Sequence, residues 1–279
     1  MGLGVALFLL VAVRYLQVGA HPTDLEVLWQ LSFLALAGLL MAANGFVTYY
    51  EYHGLGCQDG IVRGSSVLKD EIAITFDDGP SRRYTPAVLD ILKEKGVKAT
   101  FFVTGKQVNK YPEIAKRIVA EGHDIGNHTY SHRELVPATR RAILRQLRRT
   151  DKLIEATTGR RTRIFRPPRG IYSNAVRKLL IEEGYQMVLW TVSGVDWQGV
   201  SAGRVARRVL RYARPGGIIL LHDGGALIRK DGASRRNTVQ ALPLIIDGLR
   251  EKGYQIVSLS RLLEEESAGL EKPAEAPLW

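Results

Sequence analysis

The sequence predicts an α/β protein, an irregular barrel of seven or eight β/α units preceded by one N-terminal transmembrane helix or a helical hairpin. Three observations carry that expectation. From about residue 70 onward, short apolar runs alternate with amphipathic stretches, the pattern of parallel strands joined by covering helices. Four of the helical stretches are followed at once by Gly96, Gly122, Gly184 and Gly253, which suits the left-handed turn that ends a helix. The first fifty residues differ in kind: Val27 to Tyr50 carries no charge over 24 residues, long enough for the ~20 apolar residues that a bilayer core requires.

Trp29 and Tyr49-Tyr50 stand at the two ends of that uncharged run, where interfacial aromatic residues belong. Met1 to about Ala20 is also apolar, but Arg14 interrupts it and no basic leader precedes it, which argues against a cleavable signal peptide. If both segments span, the link from Arg14 to Glu26 faces the cytoplasm and the large domain emerges outside a bacterial cell membrane. Residues 1–50 thus read as a membrane anchor and 51–69 as a polar linker. Residues 70–265 read as the globular domain, and 266–279, rich in Ala, Glu and Pro, as a loose tail.

Within the domain, strands are expected over Ile72–Phe76, Ala99–Val103, Asp124–Asn127, Arg163–Phe165, Met187–Thr191, Gly217–Leu221 and Gln255–Leu259. Helices are expected between them, over Pro86–Lys95, Tyr111–Glu121, Pro137–Thr157, Ser173–Glu183, Ser201–Tyr212 and Val239–Lys252.

Composition narrows the function. Cys57 is the sole cysteine, so a disulfide framework or a cysteine-based zinc site within one chain is excluded, and a metal must rest on His and carboxylate. The net charge is +11; the first fifty residues hold Arg14 against Asp24 and Glu26, which leaves +12 on the remainder. Arg140, Arg141, Arg145, Arg148, Arg149 and Lys152 crowd one expected helix. Such a face suits an anionic wall polymer or a membrane surface, and equally a plain solvated helix face. No nucleic-acid motif accompanies the charge.

Two motifs carry chemistry: Thr75-Phe76-Asp77-Asp78-Gly79-Pro80 and His128-Thr129-Tyr130-Ser131-His132. Alone, the first is common turn chemistry and the second two surface histidines. Together, one Asp and two His suit a catalytic divalent metal with an open position, and the remaining Asp is left to act as a base on water. Placement sharpens this. The carboxylates follow the first expected strand, the histidines the third, Arg166-Pro167-Pro168-Arg169-Gly170 the fourth, Asp196-Trp197 the fifth and His222-Asp223 the sixth. The C-terminal ends of barrel strands share one face, the face on which barrel enzymes keep their chemistry.

Taken in order, Thr-Phe-Asp-Asp-Gly-Pro, His-Thr-x-x-His, Arg-Pro-Pro-x-Gly, Asp-Trp and Leu-Leu-His resemble the polysaccharide deacetylases of carbohydrate esterase family 4, over about Asp70 to Leu263. The resemblance implies a TIM-like NodB fold and a metal-dependent hydrolase that removes N-acetyl groups from GlcNAc or MurNAc residues of peptidoglycan or a related polysaccharide. It also implies roles at matching positions. Asp78, His128 and His132 would hold the metal, most often Zn2+, with Co2+ or Mn2+ as alternatives. Asp77 would take a proton from the attacking water, held in place by Arg166. His222 would give a proton to the leaving amine, oriented by Asp196. Trp197 and Leu220 would wall the acetyl pocket, and the backbone N–H of Arg169 would face the oxyanion. Two positions depart from the family pattern: Arg169 replaces an aromatic residue, and Ser193 stands where a further Asp is common. Alternative readings are a hydrolase of a small non-glycan amide on the same scaffold, and a sugar-binding pseudoenzyme.

Overall fold

A computed structural model of the chain describes residues 25–53, 60–65, 70–225 and 234–270. The first stretch is one helix, α1 (Leu25–His53), in a unit of its own. It exposes Trp29, Phe33, Leu39 and Met41. The expected transmembrane segment Val27–Tyr50 lies within α1, yet among the described residues no helix is long and apolar enough to cross a membrane. Gln30, Ser32, Gly38, Asn44 and Gly45 dilute its apolar run. The transmembrane expectation is therefore not supported by the structure. The second expected span, Met1 to Ala20, lies outside the described residues, as does the tail from 271 to 279.

The larger unit is built on nine described strands: β1 (Ile61–Val62), β2 (Glu71–Asp77), β3 (Thr100–Val103), β4 (Asp124–Asn127), β5 (Ile164–Phe165), β6 (Gln186–Val188), β7 (Val192–Ser193), β8 (Gly217–His222) and β9 (Gln255–Val257). Their order is β1-β6-β5-β4-β3-β2-β8-β7, with β9 also on β2. Every ladder between them is parallel. Around them lie α2 (Tyr84–Glu94), α3 (Gly105–Lys110), α4 (Pro112–Ala120), α5 (Arg140–Thr158), α6 (Asn174–Glu182), α7 (Ala202–Tyr212), α8 (Arg236–Glu251) and α9 (Leu259–Leu270).

The irregular barrel expected from the sequence is present as a curled parallel sheet, and two of its expected strands need correction. The expected strand Met187–Thr191 is broken: β6 pairs with β5, whereas β7 pairs with β8 on the other flank of the sheet. The sheet therefore curls back on itself across a three-residue gap, without one continuous ladder around it. The expected strand Gln255–Leu259 stops at Val257, and Leu259 opens α9. Leu259, Leu262 and Leu263 are buried at helical spacing, which carries α9 to Leu270, into the segment expected to be loose.

Side-chain alternation along the strands separates two interiors. Ile72, Ile74 and Phe76 of β2, Phe101 and Val103 of β3, and Ile219 and Leu221 of β8 join helix residues in one buried apolar cluster. The intervening Thr75 and Asp77, Phe102, and Leu220 and His222 point the other way, into the curl of the sheet. Gly126 of β4 is on this inner side, where a Cβ would collide with the ring of Phe102.

Candidate active site

Asp77 is the last residue of β2, and the chain turns there: Asp78 takes a left-handed φ of 75°. Gly79 allows a close approach, since a side chain there would strike the carboxylate of Asp223. Beyond β4, Thr129 and His132 also adopt positive φ, 64° and 56°. The strain is held by local bonds, with the Thr129 N–H donating to Asn127 Oδ1 at 2.8 Å and Gln146 Oε1 accepting from the N–H groups of Tyr130 and Ser131.

These turns aim three side chains at one point. Asp78 Oδ1 lies 3.5 Å from His128 Nε2 and 3.1 Å from His132 Nε2. One donor atom from each of the three residues falls within 4.8 Å of the other two. His128 Nδ1 lies 2.8 Å from the carbonyl oxygen of Arg166, so that nitrogen donates and Nε2 is left with its lone pair toward Asp78. Asp78 Oδ1 is buried without a hydrogen-bond donor among the described residues. A buried, unsatisfied carboxylate oxygen between two imidazole nitrogens fits a divalent cation, and the donor set suits Zn2+ or a neighbouring first-row ion.

The electrostatics follow from this packing. Burial alone would raise the Asp78 carboxyl, but the neighbouring imidazoles of His128, His132 and His222 outweigh it and hold Asp78 well below the usual range. Burial lowers His132, against the opposing pull of Asp78. For His128 burial is again the largest influence, yet Asp77 and Asp78 together raise it.

On one side of this cluster stands Asp77, whose Oδ1 accepts from Arg166 Nη1 at 2.8 Å. Arg166 has no exposed surface. Its Nη1 also donates to Thr75 Oγ1 at 2.7 Å, its Nε to the carbonyl of Val188 at 3.2 Å and its Nη2 to that of Leu189 at 2.9 Å. The guanidinium lies 4.1 Å from the ring centre of Phe102. Arg166 thus fills the gap between β6 and β7 while it orients Asp77.

On the other side, Asp196 and His222 form a second pair. Asp196 Oδ1 faces His222 Nδ1 at 2.8 Å, and Oδ2 accepts from the His222 N–H at 2.8 Å and from Thr238 Oγ1 at 2.6 Å. Burial would raise Asp196, but His222 and the hydrogen bonds from His222 and Thr238 hold it below the ordinary carboxylate value. Burial would lower His222, and the charge and hydrogen bond of Asp196 reverse this and raise it. Trp197 meets the His222 ring edge-on with centroids 5.4 Å apart and is 37% exposed, while Leu220 is buried in β8.

Arg169 sits apart from these pairs. Its backbone takes a φ of 57° within the single turn Pro168–Gly170, and its side chain pairs with Glu134 at 3.0 Å, half-exposed. At the second departure, Ser193 is buried and its hydroxyl accepts from the N–H of Val195 at 3.2 Å.

Five contributors were given no role by the sequence. Thr75 shares its face with Asp77, and strict alternation along β2 was the signal. Thr238 and Asn237 lie at the start of α8, where the Asn237 amide donates to the carbonyls of Asp196 at 2.7 Å and Val200 at 3.1 Å; in sequence they read as ordinary helix-start residues. Arg235 is buried, with Nε donating to the Gly224 carbonyl at 2.6 Å and Nη2 lying 4.0 Å from Asp78 Oδ2. Asp223 is buried beside Gly79 and is pushed up to about 7 by burial, with the charges of Asp78 and Asp77 adding and the Thr85 hydrogen bond opposing.

Comparison with known proteins agrees with this geometry. The family model described as polysaccharide deacetylase matches residues 65–188. Over 196 residues the chain is 39% identical to a peptidoglycan-N-acetylglucosamine deacetylase of Bacillus cereus, covering 70% of this chain and 69% of that protein. It is 36% identical over 203 residues to the peptidoglycan-N-acetylmuramic acid deacetylase PdaA of Bacillus subtilis, covering 71% of this chain and 73% of the other. Among solved structures, the Bc1960 peptidoglycan N-acetylglucosamine deacetylase superposes with a TM-score of 0.68 at 37% identity, over 73% of this chain and 92% of that one.

Proposed function

This chain belongs to the polysaccharide deacetylase family, and from that membership we infer that it hydrolyses the N-acetyl amide of GlcNAc or MurNAc residues in peptidoglycan or a related polysaccharide, releasing acetate. The observation that carries the reading is Asp78 Oδ1, buried between His128 and His132 without a donor among the described residues. Two charge-paired groups flank it, Asp77 with Arg166 and His222 with Asp196.

A divalent cation held by Asp78, His128 and His132, with Zn2+ the first choice, supplies Lewis acidity at the acetyl carbonyl and makes a water molecule a stronger acid. The chain's own residues do the rest. Asp77 accepts the proton of the attacking water, and Arg166 fixes the carboxylate through Oδ1 so that Oδ2, 3.8 Å from His128 Nε2, is turned toward the cluster. His222 gives its proton to the departing nitrogen, while Asp196 holds the ring by Nδ1 and leaves Nε2 for the substrate. Trp197 and Leu220 receive the acetyl methyl group, and the Arg169 N–H assists the oxyanion.

Release of acetate from acetylated chitooligosaccharide or peptidoglycan tests the reading. It is expected to stop with a chelator and return with Zn2+, Co2+ or Mn2+. Glycan binding without acetate release under any of these ions would make the chain a pseudoenzyme instead.

The domain is further proposed to be held at a bacterial membrane on the extracytoplasmic side, with anionic wall polymers as secondary partners. The uncharged run Val27–Tyr50 and the exposed apolar residues of α1 support the first point, and the net charge of +11 the second. Protease treatment of intact cells is expected to cleave the domain, and deletion of residues 1–54 to release it from the membrane fraction. Retention after the deletion would remove α1 from the explanation.

A further inference from the structure

The basic helix singled out by sequence is not the face left most open to an anion. On α5, three of the five arginines are engaged: Arg140 bonds Glu182 at 2.8 Å, Arg148 bonds Glu183 at 2.9 Å, and the Arg149 guanidinium stacks on Tyr130 at 3.6 Å, which leaves only Arg141 and Arg145 exposed without an ion pair among the described residues. On α7 the situation differs. Its sequence, AGRVARRVLRY, contains four arginines and no acid. Val205, Ala206 and Val209 take the buried side, which leaves Arg204, Arg207 and Arg211 exposed along the opposite side at helical spacing. Among the described residues no carboxylate pairs with any of these three.

The stripe has a shape as well as a sign. A shallow, open hollow of about 540 Å3 is lined by Arg204, Arg207, Arg208, Arg211, Tyr212 and Lys252, and a comparable one of about 490 Å3 lies on α5 between Arg140, Arg141, Leu144, Arg145 and Arg148. Tyr212 is 50% exposed, with the guanidinium groups of Arg208 and Arg211 at 5.4 and 5.5 Å from its ring centre. Because β7 and β8 run parallel, the helix between them runs back from the end of the sheet that bears Asp196. The row of arginines therefore leads away from the catalytic mouth, over ~10 Å of helix axis between Arg204 and Arg211.

We propose that this face of α7 binds a linear polyanion with regularly recurring negative groups, a phosphodiester polymer of the cell wall being the chemical class. A single row of cations beside a groove fits one strand, whereas a bilayer presents its charge as a plane. The proposal rests on the reading of anionic wall polymers as partners, and it gives that reading a place on the fold. The polymer would hold the enzyme on its insoluble substrate without occupying the site.

The test uses the full chain and long-chain inorganic polyphosphate as the probe, with binding measured across a salt series. Arg207→Glu with Arg211→Glu is compared with the charge-matched pair Arg141→Glu with Arg145→Glu on α5. The α7 pair is expected to weaken binding about tenfold or more and the α5 pair less than about threefold, with a shallower salt dependence for the α7 pair. Equal weakening by the two pairs would reduce the effect to net charge and overturn the proposal. So would binding to phosphatidylglycerol vesicles that depends on α7 without binding to polyphosphate. Acetate release from soluble chitooligosaccharide is expected to stay at the wild-type level in both pairs, which reports on folding. Its absence in the wild-type chain would count against the deacetylase reading alone.

Discussion

Thr238 donates to Asp196 Oδ2 at 2.6 Å, on the oxygen opposite the one that faces His222 Nδ1 at 2.8 Å. A threonine at the start of α8 thereby reaches the site through a carboxylate rather than through substrate. Thr238→Val keeps the shape and removes the donor, leaving Oδ2 with only the His222 N–H. Loss of one bond to a buried charged oxygen is expected to cost ~1–3 kcal/mol in urea unfolding and to lower kcat, with Thr238→Ser restoring both. Equal behaviour of the Val and Ser variants would show that the hydroxyl does not orient Asp196.

The second expectation concerns pH. Burial lowers His222, but Asp196 raises it above an ordinary histidine. An acid must carry its proton, so activity is kept below the His222 pKa and lost as pH rises through it. The alkaline limb of kcat is therefore shifted upward from the ordinary histidine value. Asp196→Asn withdraws the raising charge and leaves the burial, so the limb should move to lower pH. His222→Ala should cost ~100- to 10,000-fold in kcat. An unmoved alkaline limb in Asp196→Asn would assign the titration to another group.

Neighbouring carboxylates are expected to fail differently. Asp78→Asn should lose metal, measured as bound Zn2+ after dialysis, because Asp78 is the acid whose Oδ1 faces both histidine nitrogens. Asp77→Asn should retain metal and lose turnover, since Arg166 occupies its Oδ1. Equal metal loss in the two variants would undo this division.

Arg166→Lys retains a charge but not the fork of donors that reaches Thr75, Asp77, Val188 and Leu189. Removing one partner of a buried pair typically costs ~3–5 kcal/mol, and the lysine variant should lose a large part of that in urea unfolding. A variant as stable as wild type but slow would limit Arg166 to orienting Asp77.

Much of this arrangement was legible in the order of residues. The parallel α/β character followed from alternating patterns, and the placement of Asp77, Asp78, His128, His132, Arg166, Asp196 and His222 beyond strand ends foretold that they would converge. The break between β6 and β7 was not legible. Met187 to Thr191 is an apolar run with one interior tryptophan, and what interrupts it is the guanidinium of Arg166, about twenty residues away in sequence. Arg235, Asn237 and Thr238 were hidden for a similar reason: their partners, Gly224 and Asp196, are set by tertiary contacts. The short helix α3 has too few residues to show a period. In α9 the spacing of Leu259, Leu262 and Leu263 was visible, but an apolar start next to a strand candidate reads equally as more strand.

The gap filled by Arg166 also orders events in time. Its partners lie 91, 89, 22 and 23 positions away along the chain, so the base cannot be oriented until β2 and the β6 region have both docked. Contacts of such separation are closed late. During refolding, far-ultraviolet circular dichroism should recover before acetate release does. A nascent chain on the ribosome would stay inert until residues beyond Leu189, and after them His222 and Thr238, had emerged, which makes turnover a marker of the completed fold.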